Sequence, residues 1–312
     1  MRWLLSRPGW GEYPGCGALG KIRNGDKTTV LANTIQLLTH ARQGGYSIGA
    51  FNIYNLEEAI AVVKVAELLD SPVILQMLPK ALEIGGSALI KLCLEAGRSA
   101  SVPVSVHLDH CASEAVIGQA LAGGMRSIMA DGSHLAYQEN IRFTRRMVEL
   151  VGRNGGVVEA ELGRLTGTED GLTVDQKAAQ LTDPDQAAAF VGQTGAAALA
   201  VCIGNVHGRY PRRPELDFDR LEAIGQRVPL PLVLHGTSGL PDAMILESIR
   251  RGVCKFNVNT ELRQAYIRSA REYLAAMAVP ELVDLMQMVI EGVKQPVQAK
   301  MELFGSLGKA RA

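Results

Sequence analysis

At 312 residues, with a net charge of zero from 32 basic and 32 acidic side chains, the sequence shows no long run of either sign. It therefore lacks the basic footprint of a nucleic-acid binder. Hydrophobic residues make up 47 % of the chain, enough for a sizeable core, yet no apolar stretch reaches the roughly 18 residues of a membrane span.

The first 27 residues, MRWLLSRPGWGEYPGCGALGKIRNGDK, are rich in Gly, Pro and Arg and show no period. They are read as an atypical N-terminal extension, disordered or a targeting segment, and are set apart from the domain at 28–312. From Thr28 onward, short apolar β-branched runs recur at 47–53, 72–77, 102–110, 127–133, 157–163, 198–203, 231–236 and 255–260. Such continuous apolar runs suit parallel strands covered on both faces. Helical spacing fills the gaps. Segment 56–70 places Ala59, Val62, Val63, Ala66 and Leu69 on one stripe, with Glu57, Glu58, Lys64 and Glu67 off it. Segment 112–124 opens with Ser113 as an N-cap and closes at glycines, and 243–252 also ends in Gly. Eight strand–helix units in about 235 residues predict an α/β fold, a single-domain (β/α)8 TIM barrel. An open sheet is the alternative, although no G-x-G-x-x-G follows the first strand. Residues 261–312 read as largely helical, ending in a GSLGKA tail suited to packing on a neighbour.

The five cysteines (Cys16, Cys93, Cys111, Cys202, Cys254) are scattered and form no C-x-x-C pair, which favours a reducing compartment. Of the six histidines, His110, His207 and His235 each follow an apolar run, at the ends of strands three, six and seven. In a barrel that is the face that carries chemistry. Three neutral imidazoles with an open position make a catalytic metal site. His107 reads as structural, and His40 and His134 as bystanders. Asp109 directly precedes His110, so the strand must end or bulge there for both side chains to face the site. Asp109 is then an acid/base beside the metal, or an orienter of a histidine. Asp131 and Glu161 end strands four and five as metal ligands or outer acceptors. Glu169 sits in a glycine-bearing loop, suited to a mobile base. The segments GTSG (236–239) and NVNT (257–260) follow strands seven and eight, where barrels commonly bind phosphate through backbone N–H groups.

These motifs resemble the class II, zinc-dependent ketose-bisphosphate aldolases, especially their tagatose-bisphosphate branch. The resemblance runs from about Thr28 to the C-terminus through GAFNIYNLE (49–57), SVHLDH (105–110), MADGSHL (129–135), VEAELGRLTGTED (158–170), LTDPDQAAAFV (181–191), LAVCIGNVHGRYP (199–211), PLVLHGTSGLP (231–241) and KFNVNTELR (255–263). It implies Zn2+, or another divalent metal, on His110, His207 and His235, with Asp131 and Glu161 as an alternative metal position. It implies Asp109 as the catalytic acid/base and Glu169 as the base for the substrate C–H proton. It also implies a site for dihydroxyacetone phosphate at Asn52, Gly208, Gly236, Thr237, Ser238, Asn257, Val258, Asn259 and Thr260, with a monovalent cation (Na+ or K+) nearby. Arg263 would hold the second phosphate across a dimer interface. The implied activity is reversible aldol cleavage of a ketose bisphosphate in carbohydrate metabolism, by a cytoplasmic homodimer or homotetramer without nucleic-acid or membrane partners. Organelle import follows if 1–27 is a transit segment. Asn259 stands where many fructose-type relatives carry Asp, and Leu78-Pro79 where many carry a small polar residue, so the sugar-side contacts differ. Two competing readings are a metal-dependent hydrolase on the same barrel, which would want an H-x-H pair on the first strand, and a non-catalytic sugar-phosphate binder.

Overall fold

The computed structural model describes residues 31–169, 172–174, 180–208, 210 and 213–311, with the side chains of 166–169 and 172–174 outside that description. The extension at 1–27 lies outside the described residues. In chain order the elements are α1 (Thr34–Gly44), β1 (Ile48–Asn52), α2 (Leu56–Leu68), β2 (Val73–Met77), α3 (Pro79–Ser99), β3 (Val104–Cys111) and α4 (Glu114–Gly123). Then come β4 (Ser127–Ala130), α5 (Tyr137–Arg153), β5 (Val157–Leu162), β6 (Thr166–Glu169), β7 (Leu172–Val174), α6 (Pro184–Thr194) and β8 (Ala198–Val201). The chain ends with β9 (Val206–His207), α7 (Phe218–Arg227), β10 (Leu232–Leu234), α8 (Asp242–Arg250), β11 (Val253–Val258), α9 (Thr260–Ala276) and α10 (Leu282–Phe304).

Eight strands close into a parallel barrel in the order β1-β11-β10-β8-β5-β4-β3-β2. Each coincides with one of the eight apolar runs. The unforeseen element is a small sheet, β7-β6-β9, in which β6 pairs antiparallel with β7 and parallel with β9. Side chains of period two divide the apolar residues into two clusters. Phe51, Leu75, Leu108, Ile128, Leu199, Leu234 and Phe256 point outward into the helix layer. Ile48, Ala50, Ile74, Ala198, Ala200 and Val233 form the inner cluster, with Leu37, Leu38 and Ala41 of α1 packed against them. Helix α1 thus plugs the end of the barrel opposite the chemistry.

Local signals fix the helix ends. Asn33 accepts from Ile35 N and Gln36 N at 2.9 and 3.1 Å, and Ser113 caps α4 at Val116 N as expected. Gly124 closes α4 in the left-handed region, φ 110°. On α2, Glu58 departs from the expected outward position. It is 2 % exposed, and its Oε2 accepts from Tyr54 N at 2.8 Å. Burial pushes its carboxyl up to about 7. The C-terminal tail packs on its own chain: Gly308 N and Ala310 N donate to Leu69 O and Asp70 O, and the Ser306 and Ser71 hydroxyls meet at 2.8 Å. No helix among the described residues is long and apolar enough to cross a membrane.

Candidate active site

The site begins with a fault in β3. Pairing between β3 and β4 shifts register between Leu108 and Cys111, and His110 sits at φ 45°, a left-handed conformation that costs a histidine about 1–3 kcal/mol. The bulge cancels the normal alternation, so Asp109 and His110 both face the open mouth, as their adjacency required. Asp109 is 1 % exposed. Its Oδ2 accepts from Asn52 Nδ2 at 3.1 Å and Gln76 Nε2 at 3.0 Å, and its Oδ1 from Asn257 Nδ2 at 2.9 Å. Gln76 Nε2 also donates to Asn52 Oδ1 at 2.8 Å, which ties the orienting amides together. Donors from β1, β2 and β11 therefore aim one carboxylate.

The three histidine rings converge. His110 lies 4.9 Å from His207 and 4.6 Å from His235 between ring centroids, and His207 lies 6.4 Å from His235. His207 stands on β9 rather than at the end of the sixth barrel strand, since β8 stops at Val201. The small sheet and Asn205 bring it back to the mouth: the Asn205 side chain donates to His235 O at 3.0 Å and accepts from Ile203 N at 2.8 Å. Asp131 Oδ2 meets His110 Nδ1 at 2.8 Å, and Glu159 Oε1 meets His235 Nε2 at 3.0 Å. Those bonds leave His110 Nε2, His235 Nδ1 and Glu161 Oε2 buried without a hydrogen-bond partner. Buried polar atoms rarely stay unsatisfied. Ligand atoms of Asp109, His110 and His235 lie within 4.8 Å of one another, and so do those of His110, Asp131 and Glu161. Imidazole and carboxylate donors around an open position fit a divalent cation of the zinc type.

The electrostatics point the same way. Burial raises the Glu161 carboxyl well above its ordinary value, and neighbouring Asp131 adds to the rise. Burial alone would lower His110, but Asp109, Asp131 and Glu161 around it raise it well above the ordinary histidine value. Burial would raise Asp131, but its bond to His110 holds it below the usual carboxylate range. Burial, then His110 and Lys255, push His235 well below its ordinary value, so its ring is neutral and a lone pair is available. Three carboxylates crowded around one imidazole call for added positive charge.

Beside the histidines lies a backbone cradle. Gly236 has φ 61°, and a Cβ there would run into the Val206 carbonyl, so only glycine fits. Tyr210 Oη donates to Gly236 O at 2.8 Å and accepts from Val206 N at 3.1 Å, bracing the two loops. Thr237 Oγ1 donates to Asn257 O at 3.1 Å, Ser238 Oγ to Glu261 Oε2 at 2.6 Å, and Tyr54 Oη to Asn259 Oδ1 at 3.0 Å. Helix α9 opens at Thr260 on the same mouth, where a helix N-terminus favours an anion. The mouth thus gathers Asn52, Asp109, His110, Asp131, Glu161, His207, His235 and the loops bearing Gly208, Gly236–Ser238 and Asn257–Thr260. Arg263 borders a hollow of about 550 Å³ along α9 with Arg268 and Arg271. Glu169 ends β6, whose Thr166 and Gly167 pair with Val206 and His207; its side chain is outside the described residues.

Sequence reasoning missed Gln76, Glu159 and Lys255 as members of the site. The signal was present: Gln76 is the lone polar residue of β2, and Glu159 and Lys255 stand two positions before Glu161 and Asn257, on the same inward face. His107, read as structural, is 0 % exposed with Nδ1 2.7 Å from Ser127 Oγ, and burial pushes it down to about 3. His40 and His134 are exposed.

The model of the family "Fructose-bisphosphate aldolase class-II" matches residues 32–309. A fructose-bisphosphate aldolase of Thermus caldophilus is 40 % identical over 307 residues, covering 90 % of this chain and all of the relative. Among solved structures, the YdjI aldolase from Escherichia coli K12 superposes with a TM-score of 0.79 at 35 % identity, covering 90 % of this chain and 100 % of that one. A Coccidioides immitis protein assigned provisionally as a fructose-1,6-bisphosphate aldolase gives 0.83 at 36 %, covering 89 % and 98 %.

Proposed function

The chain belongs to the class II fructose-bisphosphate aldolase family, and from that premise we propose that it cleaves and forms a carbon–carbon bond of a ketose bisphosphate at the open mouth of its barrel, with a zinc ion held by His110, His207 and His235. One observation carries this reading: His110 Nε2 and His235 Nδ1 are buried without a hydrogen bond, and ligand atoms of Asp109, His110 and His235 lie within 4.8 Å of one another. When bound there, the ion supplies Lewis acidity to a substrate oxygen and offsets charge as it develops, an effect worth several kcal/mol. Asp131 and Glu161 offer an alternative position for it, supported by their closeness to His110.

The remaining work falls to the chain itself. Asp109, buried and aimed by Asn52, Gln76 and Asn257, takes the proton from the C4 hydroxyl during cleavage and returns it during condensation. Glu169 exchanges the proton on the carbon next to the ketone. Its place on β6, tied to the strand that carries His207, supports that role. Gly208, Gly236, Thr237, Ser238 and the run Asn257, Val258, Asn259, Thr260 hold the phosphate of the dihydroxyacetone half, with Na+ or K+ alongside. Arg263 meets the second phosphate from a neighbouring subunit. A homodimer or homotetramer is supported by exposed Ile267, Leu274, Leu282 and Val283 on α9 and α10. Buried free thiols at Cys93, Cys111, Cys202 and Cys254 fit the cytoplasm.

The test is aldol cleavage of fructose and tagatose 1,6-bisphosphates by zinc-loaded and chelator-stripped protein. The loaded protein is expected to release dihydroxyacetone phosphate and the stripped protein to be inactive until zinc returns, whereas borohydride with substrate leaves activity intact. Full activity after complete stripping would overturn the reading. Release of inorganic phosphate instead would indicate a hydrolase.

A further inference from the structure

Below the three imidazoles the barrel interior holds an ion pair sealed from water. Lys255 on β11 and Glu159 on β5 are 0 % and 3 % exposed, and the lysine Nζ lies 3.0 Å from Oε1 and 2.9 Å from Oε2 of the glutamate. Such a pair is often no more stabilising than apolar side chains of the same volume, so stability alone does not account for it. The same Oε1 meets His235 Nε2 at 3.0 Å. An ionised carboxylate can only accept, so this bond places the His235 proton on Nε2 and leaves the lone pair on Nδ1. Nδ1 is the atom that faces Glu161 Oε2 at 3.3 Å and makes no hydrogen bond.

We infer that Glu159, clamped by Lys255, is a positioning residue that fixes the tautomer and ring angle of His235 and so presents its Nδ1 to the metal. The clamp is needed because Glu159 has a competing partner. Its Oε2 lies 3.8 Å from His107 Nε2, another buried nitrogen without a hydrogen-bond partner. A carboxylate free to rotate could turn toward His107 and release His235. Lys255 contacts both oxygens, and β11 pairs it with Val233, two residues before His235, so one rigid strand pair sets the whole arrangement. His110 is oriented separately, through Nδ1 by Asp131, and offers the opposite nitrogen, Nε2. These two rings thus each have their own carboxylate, and that of His235 is anchored by a buried cation.

This inference rests on the reading of the histidines as metal ligands, and its test is zinc affinity rather than turnover. Chelator-stripped full-length protein is titrated with Zn2+ by calorimetry, and the Co2+-loaded form is followed by its visible absorption. The variants are Glu159→Met, Lys255→Met and the double variant. Each single substitution strands a buried charge and lowers the Tm, while the double variant recovers most of it. Zinc affinity falls about 10–100-fold in Glu159→Met. It stays low in the double variant despite the recovered Tm, with an altered cobalt spectrum. A double variant that binds zinc as tightly as wild type overturns the inference alone. Wild-type protein that binds no zinc overturns the metal reading and this inference with it. Should the double variant not fold, Glu159→Gln decides: its amide oxygen can still accept from His235 Nε2, so zinc affinity well above that of Glu159→Met is expected. A loss in Glu159→Gln as large as in Glu159→Met also overturns it.

Discussion

At the closed end of the barrel, Leu37, Leu38 and Ala41 of α1 lie over Ile48, Ile74 and Ala198, and the inward positions are small or aliphatic. At the open end the same strands present Asn52, Gln76, Asp109, Glu161 and Asn257 to the mouth, followed by His235. The closed end also borders a hollow of about 800 Å³, lined by Asn33, Thr34, Ser105 and Ser127 with Arg98 and Arg126. Its hydroxyls are nevertheless paired: Thr34 with Ser105, and Ser127 with His107. The difference teaches that empty volume is a poor guide to chemistry. Unsatisfied buried atoms are the better one, and they collect at the mouth and just beneath it.

Substitutions at the two ends should separate along that line. Asp109→Asn removes the proton carrier while keeping its shape and one acceptor, so the cleavage rate should fall about 10²–10⁴-fold, with zinc content and Tm close to wild type. A fall under tenfold would remove Asp109 from the chemistry. Leu38→Ala should do the reverse, lowering stability by about 2–5 kcal/mol in denaturant unfolding while leaving kcat alone. Unchanged stability would mean that α1 is not a plug.

The smallest effect belongs to Glu58, whose folded value near 7 lies above its ordinary 4.5. Between those values the folded chain holds more protons than the unfolded one, so stability falls as pH rises through the window and the deficit is complete above it. Glu58→Gln should therefore be about 1–3 kcal/mol more stable than wild type at pH 8 and nearly equal at pH 4. Parallel melts that differ by the same amount at both pH values would exclude titration of Glu58 as the cause.

Much of this contrast was legible in the residues. The eight strands announce themselves because parallel strands buried on both faces must be continuously apolar, and a pair such as Asp109-His110 cannot face one way without a bulge. Other features were hidden for physical reasons. Glu58 sits at a helical position that pattern assigns to solvent, but the fold turns its carboxylate inward to the Tyr54 N–H. The β6–β9 sheet is short and polar, so no periodicity marks it. The Glu159–Lys255 pair joins residues 96 positions apart, and only closure of the barrel brings them within reach.

Gly236 carries a further consequence. Its backbone rests against the Val206 carbonyl, and Tyr210 and Asn205 lash the same two loops together. The separation of His207 and His235 is therefore gauged by main-chain contact, not by the rings themselves. Thickening that contact by one methyl group would push the two loops apart, and the two imidazoles would part with them.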